Sequence, residues 1–297
     1  MKYAITGGAG HISKPLTEKL LAAGHSVTVI GRNAENLKEL VAKGATAAIG
    51  SVEDVDFLTK AFAGADAVYT MVPPNYATTD LKTHIGQVGK NYAEAIAVNG
   101  IKFVVNLSSI GADLPDGCGP VSGLYRAEQA LNKLIDVNIK HLRAPYFFDN
   151  FLSNLGLIKS AGIMGGNFAI ASPKFPVGAT SDIAEVVAEE LLNLSFTGQS
   201  VRYIASDEIG TADVAVAIGK AIGKPDLPWV PFSDADALNG MLQAGLPEEI
   251  AKNYVEMGSA LNTGVMQSDY LAHRPASFGK VKLNDFASAF GAAYKAN

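Results

Sequence analysis

The chain has 297 residues, 48% of them hydrophobic and 18% charged, with a formal net charge of −5. A chain this long and apolar can bury a substantial core, which excludes wholesale disorder, and its 30 glycines carry no triplet period, which excludes collagen. The acidic balance and the lack of any basic run argue against direct nucleic-acid binding, while the single cysteine, Cys118, rules out an internal disulfide and a CxxC zinc site.

Tyr3–Thr6 is a short apolar run closed by glycine, which predicts a buried strand. That glycine, Gly7, arrives too soon for the apolar core of a signal peptide. No stretch is long and apolar enough to span a membrane. The expectation is a soluble, cytoplasmic protein with no membrane partner and no metal, since the five histidines lack ligand spacing. No oligomeric state is legible in the pattern.

Ile12, Leu16, Leu20 and Leu21 then fall on one helical face, ended by Gly24. Val27–Ile30 reads as a second strand, and Asn33 can cap a helix carrying Leu37, Leu40 and Val41. Ala45–Ile49 is a third strand, Val55–Phe62 a third helix and Ala67–Val72 a fourth strand. Leu81, Ile85, Val88, Tyr92 and Ile96 keep helical steps over four turns until Gly100. Lys102–Leu107 is strand five, Leu124 to Leu134 a further helix, and Ile139–Leu142 strand six. Apolar strands separated by helical crossovers imply a parallel sheet covered on both faces.

That pattern predicts a doubly wound α/β domain over residues 1–150. Residues 151–297 read as a smaller C-terminal α+β substrate or lid region, intertwined with the carboxyl ends of the sheet. Within it, 151–180 looks loop-heavy, and Asp182 opens a helix with Glu185 placed for a capping box. Val201–Ala205 reads as a strand, and Val214–Ile222 and Leu246–Leu261 as helices.

Between the first strand and first helix lies Gly7-Gly8-Ala9-Gly10-His11-Ile12-Ser13. Small residues here permit a tight turn, close approach of a pyrophosphate and close helix–strand packing. The amides of the following helix then face the anion. The strand–loop–helix context predicts dinucleotide binding. The competing reading is a plain strand-to-helix turn without cofactor. Strand two ends at Arg32-Asn33 where an NAD-specific fold usually places an acid. A cation there suits a 2′-phosphate, so NADP(H) is expected in preference to NAD(H).

With these segments in view, the chain resembles the NmrA-like branch of the atypical short-chain dehydrogenases/reductases, a Rossmann-type fold. The branch includes NADPH-dependent quinone reductases and NADP-sensing regulators. The resemblance rests on Ile5–Gly10, Val29–Asn33, Gly64–Val68, Phe103–Ser109 and Leu142–Asn150. It implies that Thr6, Gly7, Gly8, Gly10, His11 and Ile12 form the phosphate loop. It also implies that Arg32 and Asn33 face the adenosine phosphate, and that Met71, Val72 and Pro73 border the adenosine. Leu107 and Ser108 would lie beneath the nicotinamide, with Pro145, Tyr146 and Phe147 walling its pocket.

The wider superfamily uses a Tyr-x-x-x-Lys pair to pass a proton. Here Tyr125 is followed four residues on by Gln129. Two readings remain. In one, hydride passes directly from NADPH to a quinone-like or similarly electrophilic acceptor. The aromatic run Tyr146-Phe147-Phe148 then offers a flat wall, or belongs to the core instead. Tyr125, His84 or Tyr76 would give a hydrogen bond. In the other, the protein is a non-catalytic NADP(H)-binding redox sensor acting through protein partners. Cys118 reads as an inert thiol in a flexible loop, and Ser108 and Ser109 as strand-end hydroxyls rather than nucleophiles.

Overall fold

The computed structural model describes residues 1–296. Asn297, the last residue of the expected C-terminal region, lies outside them. The first part runs β1 (Lys2–Ile5), α1 (Ser13–Ala22), β2 (Ser26–Gly31), α2 (Ala34–Ala42), β3 (Thr46–Ile49), α3 (Val55–Ala61), β4 (Ala67–Thr70), α4 (Leu81–Asn99), β5 (Phe103–Ser109), α5 (Pro120–Leu131) and β6 (Asn138–Ala144). There follow β7 (Tyr146–Phe147), a 3-10 helix (Phe148–Asn154), α6 (Leu155–Ala161), β8 (Met164–Gly166), β9 (Phe175–Gly178), α7 (Thr180–Asn193), β10 (Gln199–Tyr203) and β11 (Asp207–Ile209). The chain ends with α8 (Thr211–Ala221), β12 (Trp229–Pro231), α9 (Asp234–Gln243), α10 (Glu248–Thr263), α11 (Ser268–Ala272) and α12 (Leu283–Ala296).

Seven strands form one sheet in the order β10-β6-β5-β4-β1-β2-β3, and every pairing in it is parallel. The order reverses between β1 and β4, which opens a crevice outside the carboxyl ends of those strands. Strand residues alternate between faces. Tyr3, Ile5, Tyr69, Val105 and Leu107 pack with Leu16 and Leu20 of α1 and Ile183, Val187 and Leu191 of α7. Ala4, Val68 and Val104 point the other way, to Leu58, Val88, Tyr92 and Leu131 from α3, α4 and α5.

The seventh strand was expected at Val201–Ala205 and spans Gln199–Tyr203. It and its covering helix α7 come from beyond residue 150, so the sheet layer continues into the second half of the chain. The remainder of that half builds a second apolar core, rich in phenylalanine, together with β7, Ile110, Ala112, Cys118 and Val121 from the first half; it contains two small sheets, β11-β9-β7 and β12-β8, and the helices around them.

Three expectations need correction. Asp182 does not open its helix: α7 starts earlier, after Ala179, with no side-chain cap. Lying inside the first turn, the Asp182 carboxylate instead accepts bonds from Ser206 Oγ at 2.7 Å and the Val281 amide at 3.0 Å. Glu185 forms an ion pair with Lys19 at 2.8 Å. Cys118 is not in an open loop. It is fully buried, and burial pushes its thiol up to about 11, which keeps it protonated and unreactive.

Asn33 caps α2 as expected, accepting from the Glu35 amide at 2.9 Å. Gly100 ends α4 in the left-handed region with φ 62°. Gly89 serves neither as a stop nor as a turn. A Cβ there would run into the backbone of Ala127, so its bareness lets α4 and α5 touch. That contact sets the position of α5, which carries Tyr125.

Candidate cofactor and acceptor site

A groove of about 680 Å³ runs along the carboxyl ends of β1 to β4. Gly7, Gly8, Gly10, His11, Arg32, Asn33, Met71 and Pro73 line it, all of them expected from the sequence. The glycine loop is built for closeness. Gly7 has φ +92°, and a Cβ on it would strike Ser13 Oγ. A Cβ on Gly31 would lie 3.3 Å from Gly8 Cα, so the loop and the end of β2 abut through two bare backbones. The hydroxyl of Ser13 is turned inward, donating to the Thr6 carbonyl at 2.8 Å.

Thr6 and Ile12 do not line the groove. Thr6 is fully buried, and its Oγ1 donates to the Tyr69 carbonyl at 3.2 Å and accepts from the Met71 amide at 2.9 Å. It splices the end of β1 to the end of β4 and so places Met71. Ile12 is buried in the core under α1. The start of α1 has no side-chain cap and no acid in its first turn, which leaves its dipole and amides for an anion.

At the other end, Arg32 is exposed and makes no ion pair or hydrogen bond among the described residues. Glu35, the nearest acid in sequence, is bound to Lys38 at 2.6 Å. A cradle that admits no Cβ fits the pyrophosphate of a nicotinamide dinucleotide, and the unpaired guanidinium stands at the far end of the same groove. The sequence reading missed Asn36, Ser51, Glu53 and Asn75, which also line this end. No motif marks them: Asn36 lies in the first turn of α2, and Ser51, Glu53 and Asn75 lie on the loops after β3 and β4. His84 stands just outside the groove, its Nε2 4.0 Å from Glu53 Oε1.

The expected nicotinamide side is built from β5, β6 and the segment running on from β6 through β7. Ser108 is buried and donates to Glu128 Oε1 at 2.5 Å. Glu128 also takes two bonds from Arg143, at 3.2 Å from Nε and 2.9 Å from a terminal nitrogen. Burial works against the Arg143 charge, but the bonds to Glu128 and Tyr203 outweigh it and hold the guanidinium pKa above its ordinary value. Ser108 is therefore a strand-end hydroxyl with a fixed partner, as its position suggested. Leu107 is buried beneath the same edge, and the Pro145 ring packs against Gly178.

The aromatic run does not form one flat wall. Tyr146 packs against Phe151, Phe168 and Phe175. Phe147 packs on the sheet-face core. Phe148 is buried and stacked on Phe286 at 5.1 Å. Consecutive residues of an extended chain point to opposite sides, so three in a row cannot share one surface. Burial pushes the Tyr146 phenol well above its ordinary pKa, and it stays neutral. Tyr125 is half-buried on α5, with Gln129 exposed one turn later. Tyr76 is exposed, and its hydroxyl lies 3.4 Å from that of Tyr254 on α10, a residue the sequence did not single out.

The sequence model of the NmrA-like family matches residues 2–268 of this chain. A curated NAD(P)H azoreductase from Xenophilus azovorans is 24% identical over 97% of the chain and 99% of its own length. Among solved structures, the NADPH-dependent quinone oxidoreductase of Escherichia coli, complexed with NADPH, aligns with a TM-score of 0.80 at 20% identity, over 97% of this chain and 99% of that one. The triphenylmethane reductase of Citrobacter sp., complexed with NADP(H), aligns with a TM-score of 0.78 at 20% identity over the same shares.

Proposed function

The chain belongs to the NmrA-like family, and we propose that it is an NADPH-dependent reductase whose acceptor is a planar, conjugated aromatic molecule of quinone or dye type. The observation that carries the cofactor half of this reading is the glycine groove ending at the unpaired Arg32. The acceptor half is supported by the activities for which its relatives are named, azo, quinone and triphenylmethane reduction; quinones and dyes of these classes share an extended conjugated system.

When bound, the nicotinamide supplies the hydride. The protein's part is orientation and exclusion of water. The loop Gly7–Gly10 and the start of α1 would hold the pyrophosphate. Arg32 would hold the 2′-phosphate, with Asn33 beside it. Met71, Val72 and Pro73 would border the adenosine, and Leu107, Ser108, Pro145, Tyr146 and Phe147 the nicotinamide end. Gln129 cannot lend Tyr125 a positive charge, so Tyr125 is assigned at most a hydrogen bond, and His84 a place at the edge. Acceptor, NADPH and one proton give reduced acceptor and NADP⁺. The proton comes from solvent, because a quinone-type product is stable as an anion until it is protonated.

The test is to mix purified protein with NADPH or NADH and a panel of quinones, azo dyes and triarylmethane dyes, and to follow nicotinamide absorbance. Oxidation of NADPH in preference to NADH by at least one acceptor is the expected result. Tight NADPH binding with no oxidation above background on any acceptor would overturn the reductase reading.

A further inference from the structure

We propose that Tyr254, with Tyr76, forms a hydroxyl pair that binds the carbonyl oxygen of an aromatic acceptor. The inference rests on the reductase reading and names the group that selects oxygen-bearing acceptors. Tyr76 belongs to the segment after β4 whose preceding residues, Pro73, Pro74 and Asn75, line the cofactor groove. Tyr254 comes from α10 in the other half of the chain. Tyr146, on the segment after β6, packs against the same apolar core as Met257, three residues on from Tyr254 in α10. In the sheet order, β5 lies between β4 and β6. The segments that follow β4 and β6 therefore flank the carboxyl end of β5, the place where an acceptor must sit to meet the nicotinamide.

The mounting of Tyr254 is rigid. Its ring packs with Val72 and Leu124 on a small cluster of Leu81, Ile85 and Ile250. Lys82 at the start of α4 binds Glu256 at 2.7 Å, and Glu249 accepts from the Leu81 amide at 3.0 Å. A Cβ on Gly119, at the start of α5, would collide with the Asn253 carbonyl, so α10 rests directly on that turn. The helix thus roofs the amino-terminal ends of α4 and α5. Val72, a residue expected to border the cofactor, shares its apolar floor with Tyr254.

The hydroxyls themselves are underused. Each has the other as its hydrogen-bond partner, at 3.4 Å, and neither has a second among the described residues. A pair of phenols carries two donors and several lone pairs, and one mutual bond spends a single donor. In the open site, water supplies the rest. A flat aromatic ligand that covers the pair expels that water, and the remaining O–H then needs an acceptor. A carbonyl oxygen at the edge of the ligand meets the need, whereas a hydrocarbon or carbonyl-free edge leaves the donor unsatisfied. Desolvation and the bond to Tyr76 keep the Tyr254 phenol protonated, so it stays a donor at neutral pH.

The test uses Tyr254→Phe and Tyr76→Phe in the full chain. Both keep the ring and strip only a hydroxyl that no described residue outside the pair uses. 1,4-Naphthoquinone is titrated calorimetrically into protein saturated with NADP⁺, where no hydride is available, and steady-state oxidation of NADPH is measured in parallel. The expected result is a rise in Kd and KM for naphthoquinone of roughly 2- to 10-fold, the scale of one neutral hydrogen bond. NADP⁺ affinity and kcat should stay near wild type, and KM for an azo dye without carbonyl groups should be unchanged. Wild-type turnover with unchanged naphthoquinone Kd and KM in both variants overturns the inference alone, as does an equal rise for the carbonyl-free dye. Wild-type protein that neither binds naphthoquinone nor oxidises NADPH overturns the reductase reading and the inference with it.

Discussion

His11 Nδ1 lies 3.0 Å from Asp149 Oδ2, joining the glycine loop to the segment after β6. The two side chains are 77% and 36% exposed. An exposed pair of this kind adds about 0–1 kcal/mol to stability, so its consequence is sought in ligand binding. Asp149 places a negative charge next to the loop that would hold a pyrophosphate. Asp149→Asn should therefore tighten NADPH binding by about twofold at low ionic strength, the scale of one screened charge, and leave it unchanged at high salt. Fluorescence titration of NADPH in both salts checks this. Weaker binding by the variant at low salt would show that the carboxylate serves to aim His11 at the cofactor.

Arg32 is the second determinant of the groove, and its freedom from internal partners makes its prediction direct. A charge-assisted bond to a phosphate contributes about 1.5–3 kcal/mol. Arg32→Ala should weaken NADPH binding by roughly 10- to 100-fold on that scale, with little change for NADH. The ratio of the two dissociation constants is the quantity to measure. Equal losses for both cofactors would place the Arg32 contact elsewhere than on a 2′-phosphate.

Glycine at the α4–α5 contact makes a prediction about the frame. Gly89 has the Ala127 backbone where its Cβ would be. Gly89→Ala gains helix propensity but forces the helices apart, and overpacking of this kind costs about 1–3 kcal/mol. Urea unfolding should show the loss. Gly240, on α9, faces open space. There the same change should be neutral or stabilising, by up to about 1 kcal/mol.

The sequence carried the glycine loop, Arg32 and the succession of the first six strands along the chain because each depends on local requirements. A loop that admits no Cβ must be written in glycine, and a buried parallel strand in β-branched residues. The acceptor side was much less legible. Tyr76 and Tyr254 are 178 residues apart, and no spacing rule connects them. The strand β10 was recognised as a strand, but only the fold shows that it pairs with β6 and extends the main sheet. Asp182 followed a capping pattern that fits many helix starts, and lost to a tertiary bond with Ser206.

Glu128, Asp113 and Asp269 surround the Arg143 guanidinium, and the first two should respond to substitution with opposite signs. Glu128 is buried and makes the bidentate pair. Removing one partner of such a pair leaves a buried charge, so Glu128→Gln should destabilise the protein by about 3 kcal/mol. Asp113 is different. One of its oxygens is buried without a hydrogen-bond partner, 3.7 Å from Arg143. Desolvation is the main influence raising its pKa, and the charges of Asp269 and Glu128 add to it against the pull of Arg143. A carboxyl with a raised native pKa binds more protons folded than unfolded just above its ordinary value of 3.8. Stability then falls as pH rises through that window and stays lower at neutral pH. Asp113→Asn should remove this fall. Its Tm should exceed that of the wild type at pH 7, with the gap closing as the pH is lowered through the carboxylate range. A Tm below wild type at pH 7 would mean that Arg143 depends on the Asp113 charge after all.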